Sequence, residues 1–413
     1  MGVCAIVAEY DPLHLGHRYH LGEARARSRC EHVVVVMSGN FTQRGTPSMT
    51  DKWSRARMAL AAGADIVLEL PAGYAVQTAE WFAKGAVGIL TALGVVTHLS
   101  FGAETENPAL LRELAALTLR EPESVSRLIR LNLARGLSHP AARAEALCAH
   151  MRSESGEERA GEARLALRAP NNILGILYMR ALAQMRSQIE PVVIARRGAG
   201  YHERDIAGAM SSATAIRAAI LEGRDWNEAV PDTTCAILTE CLDRGHGPVS
   251  WRDFERMLLF RLRTMTPGEL AELPDIAEGL HNRIAAAAAA GGSFEDLMHH
   301  AKVRRYGATR LTRAAVHALL AMTRGDVETF RTRFPLYARV LGLRESARPL
   351  LARIARRAAI PVITRPSRFK PEEGAMERLW ALDLRATDLY SLALQNESDR
   401  RSGRDYTQPL IRL

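Results

Sequence analysis

The chain has no apolar run long enough to cross a bilayer; the longest, such as residues 284–290, fall well short of the roughly 18 residues a span requires. Its first residues also lack a basic stretch followed by an apolar one, so no secretory leader is expected. Together these absences predict a cytoplasmic protein with no membrane partner. Cysteine is scarce too. The five present, Cys4, Cys30, Cys148, Cys235 and Cys241, are odd in number, scattered and free of any C-x-x-C pair, which excludes a disulfide framework and predicts reduced, mostly buried thiols. Lysine is rare, no internal repeat is visible, and the positive charge is carried by arginine. What remains is a globular composition, 47% hydrophobic over 413 residues, long enough for two or three domains.

The net charge of +9 is unevenly spread. Residues 301–370 hold 17 Lys and Arg against 3 Asp and Glu, while the rest of the chain holds 38 positive and 43 negative. A local basic segment on an acidic remainder suits a polyanion, RNA or DNA, at one end of the molecule. A solvated arginine-rich helical face is the alternative.

Apolar runs at 3–8, 33–37, 66–70, 95–101 and 191–195 read as buried strands, with helical periodicity over 53–62, 79–93 and 173–185 between them. Alternation of this kind predicts an α/β, Rossmann-like, doubly wound parallel sheet, with ligands at the carboxyl ends of strands near the switch in strand order. The charged stretch 151–164 reads as an exposed loop. After Gly223 the strand signal fades and helices are expected over 251–265, 276–290, 309–322, 348–359 and 373–394. The expected division is a catalytic α/β domain over 1–222 and a mainly helical, basic C-terminal domain over 223–413.

The first strand runs into Asp11-Pro12-Leu13-His14-Leu15-Gly16-His17, which predicts a strand, a turn and a helix opening near Arg18. A helix amino terminus offers unpaired N–H donors and partial positive charge, so a triphosphate is its natural occupant. Gly16 lets a nucleotide lie close to the backbone, and His14 and His17 are placed to donate to phosphate oxygens as charge builds on the α-phosphate. A plain structural turn is one alternative. A zinc site using His14, His17 and His20 is another, but no cysteine or carboxylate cluster stands near to complete it, so no metal ligands are assigned. A second phosphate cradle is Ser211-Ser212-Ala213-Thr214-Ala215-Ile216-Arg217, with hydroxyls at a helix cap and an arginine one turn in. An ordinary helix cap is the bland reading. The loop after the second strand offers Ser38, Gly39, Asn40, Gln43 and Arg44, with Lys52 on the next helix, for a small anionic substrate or a phosphate. Gly102 would admit an adenine or ribose, and Asn171, Asn172, Arg196 and Arg197 could read base edges and phosphate. His14, His17 and Lys52 are the candidate catalytic residues. Within the basic segment, Arg304, Arg305, Arg310 and Arg313 are the candidate RNA contacts.

Asp-Pro-x-His-x-Gly-His followed by Ser-Ser-x-Thr-x-Ile-Arg resembles the nucleotidyltransferase superfamily. Ala8-Glu9-Tyr10-Asp11-Pro12, Met37-Ser38-Gly39-Asn40-Phe41-Thr42-Gln43-Arg44-Gly45, Gly63-Ala64-Asp65-Ile66-Val67-Leu68-Glu69-Leu70-Pro71, Phe101-Gly102-Ala103-Glu104 and Pro170-Asn171-Asn172-Ile173-Leu174-Gly175 are similar, within it, to the bacterial tRNA(Met) cytidine acetate ligase family. The resemblance implies a two-step reaction: acetate and ATP give acetyl-adenylate and pyrophosphate, and the acetyl group passes to N4 of the wobble cytidine of elongator tRNA(Met). It implies that ATP is held by Ile6-Val7-Ala8-Glu9-Tyr10-Asp11-Pro12-Leu13-His14-Leu15-Gly16-His17-Arg18-Tyr19-His20 with Gly102, Asn171, Arg196 and Arg197. Mg²⁺ is expected from the triphosphate chemistry. A small-molecule adenylyltransferase of cofactor synthesis would need only the first domain, and a catalytically silent RNA-binding protein would be expected to have lost one of the two motifs.

Overall fold

The computed structural model describes residues 2–105, 107–196, 211–277, 279–302 and 307–413. Five parallel strands form its centre: β1 (Val3–Ala8), β2 (His32–Ser38), β3 (Ile66–Leu70), β4 (His98–Ala103) and β5 (Glu190–Ala195), in spatial order β5-β4-β1-β2-β3. The order reverses between β1 and β4, and the carboxyl ends there open a crevice. These strands are apolar on both sides because helices cover both. Cys4, Ile6, Val33, Val35 and Met37 face one layer with α1 (Leu15–Ser28) and α2 (Lys52–Ala61). Ala5, Val34, Val36, Ile66 and Leu68 face the other, with α3 (Ala72–Ala75) and α4 (Ala79–Ala92). Helices α5 (Pro108–Leu119), α6 (Glu123–Ala134), α7 (His139–Ala166) and α8 (Pro170–Gln184) lead to β5, and α9 (Ala213–Leu221) follows the undescribed stretch 197–210.

Two local expectations change. Helix α1 begins at Leu15, not near Arg18, because His14 itself caps it in extended backbone, φ −121° and ψ 175°. The stretch expected as a loop at 151–164 is helical within α7, bent at Gly156 (φ 85°). Its charges pair within the helix and across to α5, Arg159 with Glu162 and with Glu113, while Ala160 and Ala163 pack inward.

The second half is mainly helical: α10 (Asp232–Asp243), α11 (Trp251–Thr264), α12 (Pro267–Ala271), α13 (Leu280–Ala290), α14 (Phe294–Ala301), α15 (Ala308–Leu319), α16 (Arg324–Thr332), α17 (Arg348–Arg357), α18 (Ala375–Leu392) and α19 (Arg404–Thr407). Yet strands reappear after Gly223. β6 (Ala338–Leu343) joins the sheet antiparallel to β3, and β7 (Val362–Ile363) and β8 (Ile411–Arg412) pair along its other edge. β6 is buried along its whole length, and its Arg339 reaches into a closed group of charges. Lys52 lies 2.8 Å from both Glu69 and Asp405, and Arg339 lies 3.2 Å from Glu69 and 2.6 Å from Asp405. Two cations against two carboxylates balance, which is what makes charge tolerable there.

The two halves share a core. Asp383 on α18 accepts from the Ala72 N–H at 2.7 Å, Tyr390 donates to the Ser48 carbonyl at 2.8 Å, and Leu379, Trp380 and Tyr390 belong to the same apolar cluster as β3 and α4. A separate cluster, including Leu258, Leu262, Ile284, Leu297 and Leu311, holds α11 to α15 together. All five cysteines are free and four are buried. Among the described residues no helix is long and apolar enough to cross a membrane.

Candidate active site

The turn after β1 folds back on itself. The His17 N–H donates to the His14 carbonyl at 2.9 Å, and the His14 N–H donates to His17 Nδ1 at 3.3 Å. Accepting at Nδ1 leaves the proton of a neutral His17 on Nε2, where it is available as a donor. The two rings stack at 3.7 Å, 25° from parallel, and Tyr10 sets its ring edge against His17 at 4.9 Å. Gly16 suits this packing, since a Cβ there would crowd the ring, 3.0 Å from His14 Cε1 and 3.1 Å from Nδ1. His14 Nδ1 is buried without a hydrogen-bond partner. His20, one turn on, shares a 3.0 Å hydrogen bond with the Ser100 hydroxyl.

Burial pushes His14 down to about 3, reinforced by the charges of Arg196 and Arg217, and His20 down to about 4, reinforced by Arg196. His17 also lies well below its ordinary value, through burial first and then the charge of His14. All three are therefore neutral near pH 7. An anion entering between them and the two arginines would reverse part of that shift.

Helix α9 reaches the same point from two hundred positions away. Arg217 Nη1 donates to the Asp11 carbonyl at 2.6 Å and lies 3.5 Å from the Asp11 carboxylate, while Nη2 donates to Thr214 Oγ1 at 3.3 Å. Ser212 caps the helix, accepting from the Ala215 N–H at 3.2 Å. His14, His17, Ser212, Thr214 and Arg217 line one cleft of about 600 Å³, together with Gly102 and Arg196 from the ends of β4 and β5. Gly102 is close to Arg196, whose Cγ would be 3.2 Å from a Cβ there. Asn171 faces the cleft and donates to Glu104 at 2.6 Å, whereas Asn172 is buried and accepts from the Glu104 and Thr105 N–H groups, fixing the end of β4.

Within the stretch 6–20, the cleft is lined by Ile6, Val7, Ala8, Glu9, Tyr10, Asp11, His14, Gly16, His17, Tyr19 and His20, and not by Pro12, Leu13, Leu15 or Arg18. The loop after β2 divides. Gln43 and Arg44 face the cleft, while Ser38 and Asn40 are buried away from it; Asn40 accepts from the Lys52 N–H and donates to Thr387. Gly39 lies against Glu69. Lys52, expected to meet an anionic substrate, is wholly buried among Glu69 and Asp405 and does not line the cleft. Arg313 is likewise buried, 2.7 Å from Asp275, and Arg310 donates to the Asp275 carbonyl at 2.5 Å. Arg197, Arg304 and Arg305 lie outside the described residues.

Sequence reasoning missed the apolar wall of the cleft, Phe82 from α4 and Ile173, Leu174 and Tyr178 from α8. Their helical spacing was visible, but it is the spacing of any core-facing residue. No cluster of three potential metal ligands exists among the described residues.

The HIGH Nucleotidyl Transferase family model matches residues 1–405. The tRNA(Met) cytidine acetate ligase of Caldanaerobacter subterraneus is 40% identical over 415 residues, and that of Acetivibrio thermocellus 37% over 420, each covering the whole of both chains. Among solved structures, Thermotoga maritima TmcAL without ligand superposes with a TM-score of 0.95 at 33% identity, and the same protein bound with alpha-thio ATP with 0.93 at 32%, again over the full length of both.

Proposed function

The chain belongs to the HIGH nucleotidyl transferase family and to its tRNA(Met) cytidine acetate ligases, and from that premise we propose how it works. It is an ATP-dependent, AMP-forming ligase. Acetate attacks the α-phosphorus of ATP, pyrophosphate leaves, and the acetyl group of the resulting adenylate passes to N4 of the wobble cytidine of elongator tRNA(Met), giving N4-acetylcytidine.

The observation that carries this reading is the convergence of the stacked His14 and His17 with Ser212, Thr214 and Arg217 on one cleft. In this proposal His17 Nε2 and His14 donate to the α-phosphate as negative charge builds there, and Arg217 with the hydroxyls of α9 takes up the charge that moves to pyrophosphate. Arg196 completes the phosphate end, and Gly102 with Asn171 accommodates the nucleoside. Catalysis is by position and electrostatics, without a covalent enzyme intermediate. Mg²⁺ would come with the triphosphate and offset part of its charge, since the described residues offer no cluster of three ligands to hold it. Arg304, Arg305 and Arg310 of the basic segment are assigned to tRNA, and the enzyme to the cytoplasm.

Incubation with ATP, labelled acetate and bulk tRNA tests the reading. Label in tRNA is the expected result. Adenylyl transfer to a phosphorylated metabolite, or no product at all, would replace it with the cofactor-synthesis or the silent RNA-binding alternative.

A further inference from the structure

Among the described residues, Glu9 is the one carboxylate lining the cleft that the adenylate half of this chemistry leaves without work. Its Oε1 accepts the Gln43 N–H at 2.7 Å, and no hydrogen bond occupies Oε2 among the described residues. Asp11, by contrast, is engaged by the Met49 N–H at 2.7 Å and by Arg217. Gln43 Nε2 donates to the Gln77 carbonyl at 2.7 Å, which ties the loop holding Glu9 to the start of α4. On that side the cleft wall is apolar and flat-faced: Phe82, with Phe101 and Tyr178 at 5.7 Å between ring centres. Burial raises Glu9 above the usual carboxylate range, and Tyr178 is near enough for the charge of Glu9 to add to the upward push that burial gives its phenol.

ATP, acetate, pyrophosphate and AMP are anions, and a carboxylate beside them adds only repulsion. Adenine and ribose offer donors, but those donors keep their protons throughout. One group in the whole reaction must surrender a proton, the exocyclic amine of cytosine. We propose that Glu9 is a catalytic residue of the second half-reaction, the acceptor of the N4 proton; this rests on the tRNA-acetylating function proposed above. The N4 lone pair forms the new N–C bond at the acetyl carbonyl, the C–O bond to phosphate breaks, AMP departs with that electron pair, and the proton passes from N4 to Glu9 Oε2 and on to water. A carboxylate with raised proton affinity is the better acceptor once ionised.

Glu9→Gln tests this with little change of shape, since the amide oxygen still accepts from Gln43. Two rates are measured: acetyl-adenylate formation from ATP and labelled acetate without tRNA, and transfer from the enzyme-bound adenylate to tRNA as a function of pH. The variant is expected to transfer acetyl from the adenylate about 100-fold or more slowly, a loss well beyond any change in its rate of adenylate formation. In wild type, transfer rises with pH as Glu9 ionises; in the variant that limb is flattened. A parallel loss of adenylate formation, as for a ribose or Mg²⁺ contact, would overturn the proposal. So would a normal transfer rate or an unaltered pH limb. A wild-type enzyme that makes adenylate but labels no tRNA would instead overturn the function on which the proposal rests.

Discussion

Two imidazoles stacked 3.7 Å apart cannot both carry charge at low cost, and here burial keeps them neutral. Neutral rings still donate, and for His17 the backbone bond to Nδ1 selects which nitrogen does so. Replacing it by alanine (His17→Ala) is expected to slow adenylate formation by about 100- to 1,000-fold, the loss typical of one positioned donor, while tRNA affinity stays within a few-fold. Adenylate made at the normal rate would remove His17 from the chemistry. Neutrality also shapes stability. His14 titrates near its ordinary 6.5 when unfolded and at about 3 when folded, so between those values the unfolded chain binds the extra proton and acid favours unfolding. The ligand-free protein should lose Tm as pH falls through that window, and His14→Asn should make the loss shallower; equal slopes would contradict the assignment. The histidine motif was legible because all its parts fall within seven consecutive residues, Asp11 to His17. Lys52 was misread for the opposite reason: Asp405, which closes its charge, lies far along the chain.

The loop that holds Glu9 is propped by an element of the other half. Thr312 on α15 donates to the Arg44 carbonyl at 2.5 Å, and Gly45, at φ +74°, lets the chain pass so close that a Cβ would stand 2.5 Å from the Arg313 nitrogen. Arg313 is therefore part of a support, anchored on Asp275. Arg313→Ala is expected to cost about 1–3 kcal/mol in unfolding free energy, for a partly buried pair, and to leave the salt dependence of tRNA binding as it was. A flatter salt dependence with unchanged Tm would return Arg313 to the RNA. Elements were legible in proportion to their local pattern. β3 and α11 could be bounded almost to the residue, whereas β6 could not be seen. Its Arg339 and Gly342 break the apolar run, and its place is set by the edge of β3 some 270 positions earlier.

At the scale of the molecule, the basic segment divides into arginines that hold the fold, such as Arg313 and Arg339, and those that face outward. Arg348, Arg356, Arg357, Arg365, Arg368 and Lys370 are exposed on and after α17. Reversing two of them, Arg356→Glu with Arg357→Glu, is expected to weaken tRNA binding and to reduce its log–log salt slope by about 1–2, one for each phosphate no longer neutralised. An unchanged slope would confine the RNA grip to other arginines. Charge counting could find the segment but not this division, since burial is a property of the folded chain.

The antiparallel seam between β3 and β6 has a consequence for how the protein is made. As the chain leaves the ribosome, all five parallel strands emerge while the flank of β3 is still bare, a template for any other strand in reach. That flank stays open until residue 343 has left the ribosome. The nascent enzyme thus spends much of its birth in its most adhesive form, and a stall of translation before β6 would release a fragment with intact histidines and an unguarded border.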